Sequence, residues 1–308
     1  MFIFGQILIL LGFFLQIFNL VIDIRFIFSQ SKNVTGNKRS LFLDFLIFAM
    51  VLLFCAVYLI IFFVKVQTVW VGILLFSGAV FVTTVLLWIS NLTKEIRTSA
   101  FSISEALIGI LEARDPNLNG HSLHVQELSL LIYNNLPAGF RRRINKENLK
   151  YAALFHDVGK LGVPEAILNK PAALAPEEWN VMRRHPEISV QILRPIKSFD
   201  LIKEWILYHH ERIDGSGYYG IPGDKIPFAA RIISVADTYS AITMARSYKP
   251  GKSHEEAIEI LQRVEGKQLD TYLVSLFCTI PKEDVLACMD SVKEKISKQA
   301  SVAEMLEV

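Results

Sequence analysis

Histidine and aspartate residues that could share a metal ion recur along the second half of this 308-residue chain. His156 and Asp157 are adjacent in the segment LFHDVGK, and Lys160 follows them by four and three residues. On a helix these three side chains project toward one side. An imidazole beside a carboxylate is a mixed nitrogen and oxygen donor pair that suits Fe, Mn or Zn, and the lysine could contact a phosphate or protonate a leaving oxygen. Two adjacent residues alone are a weak signal.

The same donor types recur at four further places. His121 follows a glycine at an expected helix start, and His185 stands before a proline in MRRHPE. His209 and His210 close a helix in YHHERIDGSGYYG, where the glycine-rich DGSG lets the backbone turn so that both rings can reach one ion. Asp237 lies in the apolar helix RIISVADTYSA, where an unpaired carboxylate is costly and a metal ion would supply its partner.

Each histidine also has a simpler interpretation. We expect His124 to lie on the surface or behind the ligands, and His254, in GKSHEEA, to lie near a helix N-cap outside the site. For any one of the others, a hydrogen-bonded structural histidine is the better single interpretation. Five such histidines together with two aspartates are hard to explain in that way.

Composition divides the chain into an apolar N-terminal part and an ordinarily charged remainder. Hydrophobic residues make up 52% of the chain, and the mean hydropathy is +0.37. Residues 1–100 hold seven Lys or Arg and three acids, which leaves 25 basic and 27 acidic residues for 101–308. The second part is long enough to bury its own core, and without a basic excess it does not suggest polymeric nucleic acid as a partner. Three cysteines without CxxC spacing are typical of a reducing compartment.

Three apolar runs predict a transmembrane region over residues 1–91, with helices at about 1–22, 41–64 and 69–90. The first run lacks a basic n-region and a small-residue cleavage site, which favours an uncleaved helix over a signal peptide. Basic residues in the 23–40 loop and after the third run place that loop and the C-terminal domain in the cytoplasm, and the N-terminus outside. The alternative is that the runs are buried helices of a large soluble core. Four polar residues in the runs are expected to cross-link helices or lie near an interface: Gln6, Gln16, Asn19 and Asp44.

Two flanking helices border the rest. Residues 92–113 form a predicted connecting helix with a heptad-like stripe of Ile96, Ala100, Ile103, Leu107 and Ile110. The stripe predicts either a homodimer seam or a core-facing helix, and we hold the two alternatives equal. Residues 281–308 predict a charged, solvated helical flank. Between the two, helical spacing of apolar residues in segments such as VQELSLLIYNNL predicts an all-α bundle, with Pro, Gly and Asn between the helices.

Five segments together resemble the HD-GYP domain, a bacterial subgroup of the HD phosphohydrolases, over about residues 96–280, with the catalytic domain at 114–280. They are RDPNLNGHS, ALFHDVGKLGVPEAILNKPAALAPEEWNVMRRHP, HHERIDGSGY, GDKIPFAARIISVAD and EEAIEIL. The resemblance implies an α-helical fold, a centre of two or three metal ions, commonly iron or manganese, and hydrolysis of cyclic di-GMP to the linear dinucleotide or to GMP. Taken with the apolar runs and the basic loops, this bacterial family predicts a multi-pass protein of the bacterial inner membrane, in contact with lipid, with a cytoplasmic catalytic domain.

The resemblance also implies roles for particular residues. One ion would take His121, His156, Asp157 and Asp237, and the second would share Asp157 and add His185, His209 and His210. Members with a third ion use a glutamate four residues before the first histidine, but Asn117 stands there, so we expect two divalent ions. Asp157 and Lys160 would act in catalysis, with Lys160 as the cation near the phosphate. Arg212 would lie behind the metal ligands or contact phosphate, and Arg246 would contact the substrate. The loop that receives the substrate would be shaped by Asp214, Gly215, Gly217 and Tyr218.

Four positions depart from the pattern of that family. Tyr219 replaces the proline of the GYP motif, and the loop is one residue shorter. Ser240 stands where an aspartate often follows VADxY, Ala245 replaces another aspartate, and His124 replaces an arginine. None of these changes removes a metal ligand. Three hypotheses therefore remain: hydrolysis of cyclic di-GMP, hydrolysis of another cyclic dinucleotide or nucleotide, and binding of a cyclic dinucleotide without turnover.

Overall fold

The computed structural model describes residues 2–31, 38–64, 69–114, 120–170, 172–244 and 250–306. The described residues form helices joined by turns and loops, and the one β-type pairing among them is a bridge between Glu265 and Leu269. The all-α prediction is confirmed. The described residues divide into two compact units, Met1–Ser102 and Ile103–Val308.

Three long apolar helices form the N-terminal unit: α1 (Phe2–Ser31), α2 (Lys38–Phe63) and the part of α3 (Val69–Arg114) that belongs to this unit. Glycines bring these helices close together. A Cβ on Gly72 would lie 2.8 Å from the carbonyl oxygen of Gly5, and one on Gly12 would lie 2.5 Å from the ring of Tyr58. Small residues at such crossings are typical of helices that associate by close backbone packing.

Two of these helices are long and apolar enough to cross a membrane, over Ile3–Val21 and Val69–Glu105. The middle helix contributes a shorter apolar stretch, Phe48–Phe63, so the number of spans stays a prediction. Gln16 and Asn19 are buried and bond to each other at 3.2 Å within α1, as expected for polar residues turned away from lipid. The side chain of Asp44 lies outside the described residues.

The predicted connecting helix is continuous with the third apolar run, because α3 extends without a break from Val69 to Arg114. Within the stripe, Ile96 and Ile103 are each 61% exposed. This exposure contradicts the core-facing alternative at these two positions. The side chains of Ala100, Leu107 and Ile110 lie outside the described residues, and the homodimer seam stays a prediction.

A helical core forms the C-terminal unit, and its larger α-helices surround the residues predicted to bind metal. They are α4 (His121–Asn135), α6 (Lys146–Phe155), α9 (His185–Leu193), α10 (Asp200–Leu207), α11 (Phe228–Thr243), α12 (His254–Val264) and α13 (Thr271–Thr279). Three short helices lie between them: α5 (Ala138–Arg141), α7 (Glu165–Leu168) and α8 (Pro176–Met182). α4 packs against both α6 and α11, and α10 packs against α6 and α9.

Local sequence sets the boundaries of several of these helices. Asn145 caps α6 by accepting from the Asn148 amide at 2.9 Å, and Asp270 caps α13 in the same way. Ser253 and Glu256 form a capping box at the start of α12, so His254 is the first residue after an N-cap, as predicted.

The final helix α14 (Lys282–Leu306) is not the solvated flank that the sequence predicted. Val285 and Val292 are each 1% exposed, because this part of α14 packs against α4 within the C-terminal unit. Lys295 bonds Glu127 at 2.7 Å, which ties α14 to α4. The charged residues of α14 led to the prediction of a solvated helix, whereas the apolar residues between them cover the core.

Candidate metal centre

Six of the seven residues predicted to bind metal lie at or near the ends of helices, and Asp237 lies within α11. His121 is the first residue of α4, His156 follows the last residue of α6, and His185 is the first residue of α9. His209 and His210 follow the C-cap of α10, where the helix has ended. Since a regular helix separates neighbouring side chains by about 100°, this ending lets the two adjacent rings turn into one site.

Three overlapping groups of these side chains have ligand atoms within 4.8 Å of one another. We call the seven residues the histidine–aspartate cluster. The groups are Asp157 with His185, His209 and His210; His121 with His156 and Asp157; and His156 with His209 and Asp237. Asp157 belongs to two groups. The sets that the sequence assigned to two ions are therefore brought together around a shared carboxylate.

Three of the histidines are held by the backbone of the preceding helical turn. In each, Nδ1 bonds a carbonyl oxygen three residues earlier: His156 to Ala153 at 2.7 Å, His185 to Met182 at 2.9 Å, and His209 to Ile206 at 2.6 Å. A carbonyl can only accept, so in the neutral ring each Nδ1 carries the proton and each Nε2 presents a lone pair. The lone pairs face the interior of the cluster.

His121 is held differently, by side chains of α11. Its Nε2 lies 3.1 Å from Asp237 Oδ1, and its Nδ1 lies 2.9 Å from Ser240 Oγ. Asp237 and Ser240 are three residues apart and thus share a face of α11, so one helix contacts both nitrogens of the ring. His124, also buried, places its Nδ1 3.0 Å from the same Ser240 hydroxyl. The surface alternative for His124 is wrong.

Several buried atoms of the cluster lack a hydrogen-bond partner within the described part of the chain: His156 Nε2, Asp157 Oδ1, His185 Nε2 and His209 Nε2. His185 Nε2 and Asp157 Oδ1 lie only 3.1 Å apart, yet they do not form a hydrogen bond. Buried polar atoms without partners are costly. Converging lone pairs of imidazole and carboxylate are the donor set of a transition-metal site, so the cluster is able to bind metal.

Charge around the shared aspartate keeps it ionised. Burial by itself raises the pKa of Asp157, but Lys160 and His156 outweigh burial and hold the pKa well below its usual value. Lys160 Nζ lies 2.5 Å from Asp157 Oδ2, as their spacing of three residues predicts. Burial likewise opposes ionisation of Asp237, and its contact with His121 lowers the pKa below the usual value. Both carboxylates are therefore available as anionic ligands.

The paired histidines are neutral for the complementary reason. Burial, followed by the nearby His185, lowers the pKa of His210 to about 3. Burial, followed by the neighbouring His210, also holds the pKa of His209 well below its usual value. Neutral imidazoles are the form that binds metal.

A tight contact joins the chain segment that follows His156 and Asp157 to α9, the helix that begins with His185. Ser189 Oγ, on α9, accepts from the Gly159 amide at 2.7 Å and donates to the His156 carbonyl at 3.2 Å. A Cβ on Gly159 would collide with the carbonyl oxygen of His185 and lie 2.5 Å from the Ser189 amide. Gly159 and Ser189 thus set the distance between the HD pair and His185.

Glu211 organises the loop that follows the paired histidines. It is 3% exposed, and its carboxylate accepts from the amides of Tyr219 at 2.6 Å and Ile221 at 3.0 Å. Gly217 packs so closely that a Cβ would lie 2.6 Å from Glu211 Cα. Gly215 has a positive φ of 75°, which lets the loop turn back. Gly215 and Gly217 therefore shape the loop, as predicted, through backbone geometry.

Tyr218 borders the histidine–aspartate cluster. Its ring centre is 4.8 Å from that of His210, and Arg183 places its guanidinium 5.5 Å from the centre of the tyrosine ring. Burial raises the pKa of Tyr218 to about 12, so the phenol stays protonated and can donate a hydrogen bond. An exposed arginine and a phenol beside the cluster suit a phosphate-bearing ligand.

The other residues predicted at the substrate site either make bonds to neighbouring residues in this structure or lie outside the described residues. Arg212 is exposed and bonds Gln268 at 2.8 Å, and Asp214 accepts from the Ser216 amide at 2.9 Å, so both side chains stabilise the loop in this structure. Arg246, Asn117 and Ala245 lie outside the described residues. His254 bonds the Tyr239 hydroxyl at 2.9 Å and is outside the cluster, as predicted.

Three residues that shape this site were not predicted from the sequence: Arg183, Ser189 and Glu211. The contact of Ser240 with His121 was not predicted either. Glu211 directly follows the paired histidines, and a buried acid after a helix end is a signal for loop amides. Ser189 lies four residues after His185, on the same face of α9. Arg183 and Ser240 gave no comparable signal, because their contacts join segments that are distant in sequence.

Comparison with known proteins defines the family. The profile of the HD domain family matches residues 105–273, more than half of the chain. The chain therefore belongs to the HD domain family, and the resemblance inferred from His156, Asp157 and the flanking motifs is confirmed.

Curated proteins of two bacteria are similar to this chain at about a third identity. The chain is 34% identical over 204 residues to a cyclic di-GMP phosphodiesterase of Vibrio cholerae, covering 62% of this chain and 42% of that protein. It is 36% identical to a cyclic di-GMP phosphodiesterase of Thermotoga maritima, covering 59% and 50%. It is 33% identical to the 3'3'-cGAMP-specific phosphodiesterase 2 of Vibrio cholerae, covering 60% and 36%. The chain thus spans half or less of the length of these relatives.

Proposed function

We propose that this chain is a membrane-anchored, metal-dependent phosphodiesterase that hydrolyses a cyclic dinucleotide, with cyclic di-GMP as its leading substrate, in bacterial second-messenger signalling. The observation that carries this proposal is the histidine–aspartate cluster, in which three Nε2 atoms and Asp157 Oδ1 are buried without a hydrogen-bond partner in the described residues. Two of the relatives above are cyclic di-GMP phosphodiesterases, and the HD family match at 105–273 contains the cluster.

Two divalent ions, iron or manganese, would be held by the two groups that share Asp157. His121, His156 and Asp237 would complete one set, and the second set would take the remaining three histidines, which are His185, His209 and His210. When bound, such ions supply Lewis-acid activation of a water molecule and positive charge opposite phosphoryl oxygens. The mixed imidazole and carboxylate donors suit either metal.

Neighbouring residues would orient the phosphodiester. Lys160, with its side chain 20% exposed beside Asp157, would contact a non-bridging oxygen or give a proton to the leaving oxygen. Tyr218 would donate its phenolic proton, and Arg183 lies near enough to add a second positive contact. The loop stabilised by Glu211 would cover this face and exclude water. Arg246 remains a proposed substrate contact.

A second candidate substrate is the mixed cyclic dinucleotide cGAMP. Tyr219 in place of the GYP proline changes the loop that borders the cluster, and one relative is specific for 3'3'-cGAMP. Substrate preference would depend on this loop, because the phosphodiester that the ions contact is the same in both nucleotides.

We place the N-terminal unit in the bacterial inner membrane. Its long helices leave large apolar side chains uncovered, for example Phe14 at 59% and Phe81 at 69% exposure, as lipid contact would require. The proposed organisation has a three-span membrane region at 1–91, a connecting helix at 92–113 with a possible dimer seam, the catalytic domain in the cytoplasm at 114–280, and a C-terminal flank at 281–308.

The test is metal analysis of the purified full chain, followed by turnover of a panel of cyclic dinucleotides with Mn²⁺ or Fe²⁺. We expect about two ions per chain and conversion of cyclic di-GMP to the linear dinucleotide or GMP. Turnover of cGAMP alone would select the second substrate. Bound metal without turnover of any nucleotide, cyclic dinucleotides included, would instead identify a sensor and would refute the enzyme.

A further inference from the structure

Two positions that depart from the related family's pattern contact each other. Ser240 stands where an aspartate is usual, and His124 stands where an arginine is usual. Their side chains are separated by 116 positions in sequence, yet Ser240 Oγ lies 3.0 Å from His124 Nδ1. Ser240 is fully buried and His124 is 2% exposed, so solvent does not replace this contact. The two substitutions are therefore parts of one local arrangement.

This arrangement ends on a proposed metal ligand. The same Ser240 oxygen lies 2.9 Å from Nδ1 of His121, whose Nε2 faces Asp237. The other three buried ligand histidines place Nδ1 against a backbone carbonyl, which always accepts. His121 instead depends on a hydroxyl, which can donate or accept and therefore does not by itself fix the ring tautomer.

The protons available to His121 and Ser240 decide which tautomer of His121 is present. If Nε2 of His121 presents a lone pair to a metal ion, its ring proton sits on Nδ1 and is donated to Ser240 Oγ. The single hydroxyl proton of Ser240 is then free to point onward. Its two acceptors are His124 Nδ1 at 3.0 Å and Met244 Sδ at 3.3 Å, and the imidazole nitrogen is the stronger acceptor.

We propose that Ser240 is the positioning residue that holds His121. His124 completes this support by accepting the hydroxyl proton of Ser240, so that the three side chains form one directed chain of hydrogen bonds. The chain fixes the His121 tautomer with its Nε2 lone pair toward the histidine–aspartate cluster. Each bond polarises the next, which strengthens the whole. The inference rests on the proposed metal centre, and it explains how the centre keeps His121 in place without the usual aspartate.

The first test is Mn²⁺ binding to the full chain in detergent, measured from the electron paramagnetic resonance of free Mn²⁺. Ser240→Ala should lower the affinity by roughly 10- to 100-fold, the usual effect of losing a partner that orients a metal ligand. The matched control is Thr243→Val on the same helix, whose hydroxyl bonds only the Tyr239 carbonyl in the described structure, and it should leave the affinity unchanged.

The second test asks whether the two positions are coupled. His124→Arg should weaken Mn²⁺ binding, because it buries a guanidinium against a hydroxyl without a countercharge. Adding Ser240→Asp should restore the affinity at least about tenfold by supplying that countercharge, which a destabilised fold would not do. A double variant that binds no better than His124→Arg alone would overturn the coupling.

The third readout is the tautomer itself. In the Zn²⁺-loaded full chain with ¹⁵N-labelled histidine, His121 should carry its proton on Nδ1 and His124 on Nε2. A proton on Nδ1 of His124 would overturn the proposal. Wild-type protein that binds no Mn²⁺ would refute both the metal centre and this inference, whereas wild-type binding that Ser240→Ala leaves intact would refute the inference alone.

Discussion

The two sides of the histidine–aspartate cluster are supported in different ways. On the side of α6, α9 and α10, the rings of His156, His185 and His209 are each fixed by a carbonyl three residues earlier in the same chain segment. On the side of α4 and α11, His121 depends on Ser240, which is 119 residues away. The first kind of support joins residues only three positions apart, so it forms together with the local helical turn. The second exists only once α4 and α11 have packed, so it is open to substitution at several positions.

The largest effect should come from removing the residues common to both sides. We expect His156→Ala with Asp157→Ala to reduce hydrolysis of cyclic di-GMP to less than about one thousandth, because both proposed ion sites lose a ligand. Circular dichroism and membrane insertion should be largely unchanged. His254→Ala, a histidine outside the cluster, is the control. Full activity in the double variant would contradict the ligand assignment.

Breaking only the backbone-held side should have the next largest effect. In Gly159→Ala the new methyl group would collide with the His185 carbonyl and the Ser189 side chain, and such overpacking costs about 1–3 kcal/mol. Metal affinity should fall together with the unfolding midpoint.

The matched control for that variant is Gly139→Ala in α5, where a Cβ would contact nothing within 4 Å. It should leave stability and metal affinity unchanged, or raise stability slightly through the loss of backbone entropy in the unfolded chain. Equal behaviour of the two alanine variants would show that the Gly159 contact does not hold His185.

A change in the loop that Glu211 stabilises should leave the metal ligands on both sides of the cluster in place. In Glu211→Gln one carboxylate oxygen becomes an amide donor that faces the amide of Tyr219 or Ile221, at a cost of about 1–3 kcal/mol. Since the loop borders the cluster and supplies none of its ligands, KM should rise about tenfold while the metal content stays the same. Glu177→Gln on the exposed face of α8 is the control. A loss of metal in Glu211→Gln would show that the loop supports the ligands as well.

The smallest expected effect concerns His124, on the side of the cluster where α11 supports His121. Burial lowers the pKa of His124 to about 3 from a usual 6.5, so the unfolded chain binds more protons than the folded chain between these values. His124 therefore contributes its full stability above pH 6.5 and loses it as the pH falls toward 3.

For His124→Gln, in metal-free protein, the loss of unfolding free energy between pH 7 and pH 5 should be smaller than in wild type by up to about 2 kcal/mol. Denaturant unfolding at the two pH values measures this difference, and the other titrating groups cancel in the comparison. An identical pH dependence in the two proteins would show that His124 is not held in its neutral form.

How much the sequence could predict follows the same division. Local signals were sufficient for the helical fold, for the ligands at the helix ends, and for the break after α10 that turns His209 and His210 into one site. They failed for α14, whose charges hid the buried Val285 and Val292. They also failed for Ser240 and His124, because a contact between residues 116 positions apart depends on how two helices pack, which local periodicity does not encode.

The most direct test of the central claim is the electron paramagnetic resonance spectrum of the full chain loaded with Mn²⁺. Ligand sets that share Asp157 should hold two ions close enough to give the signal of a coupled pair, with about two Mn²⁺ per chain. A signal from isolated, uncoupled Mn²⁺ at saturation, or no bound Mn²⁺ at all, would contradict the two-ion centre on which the proposed hydrolysis depends.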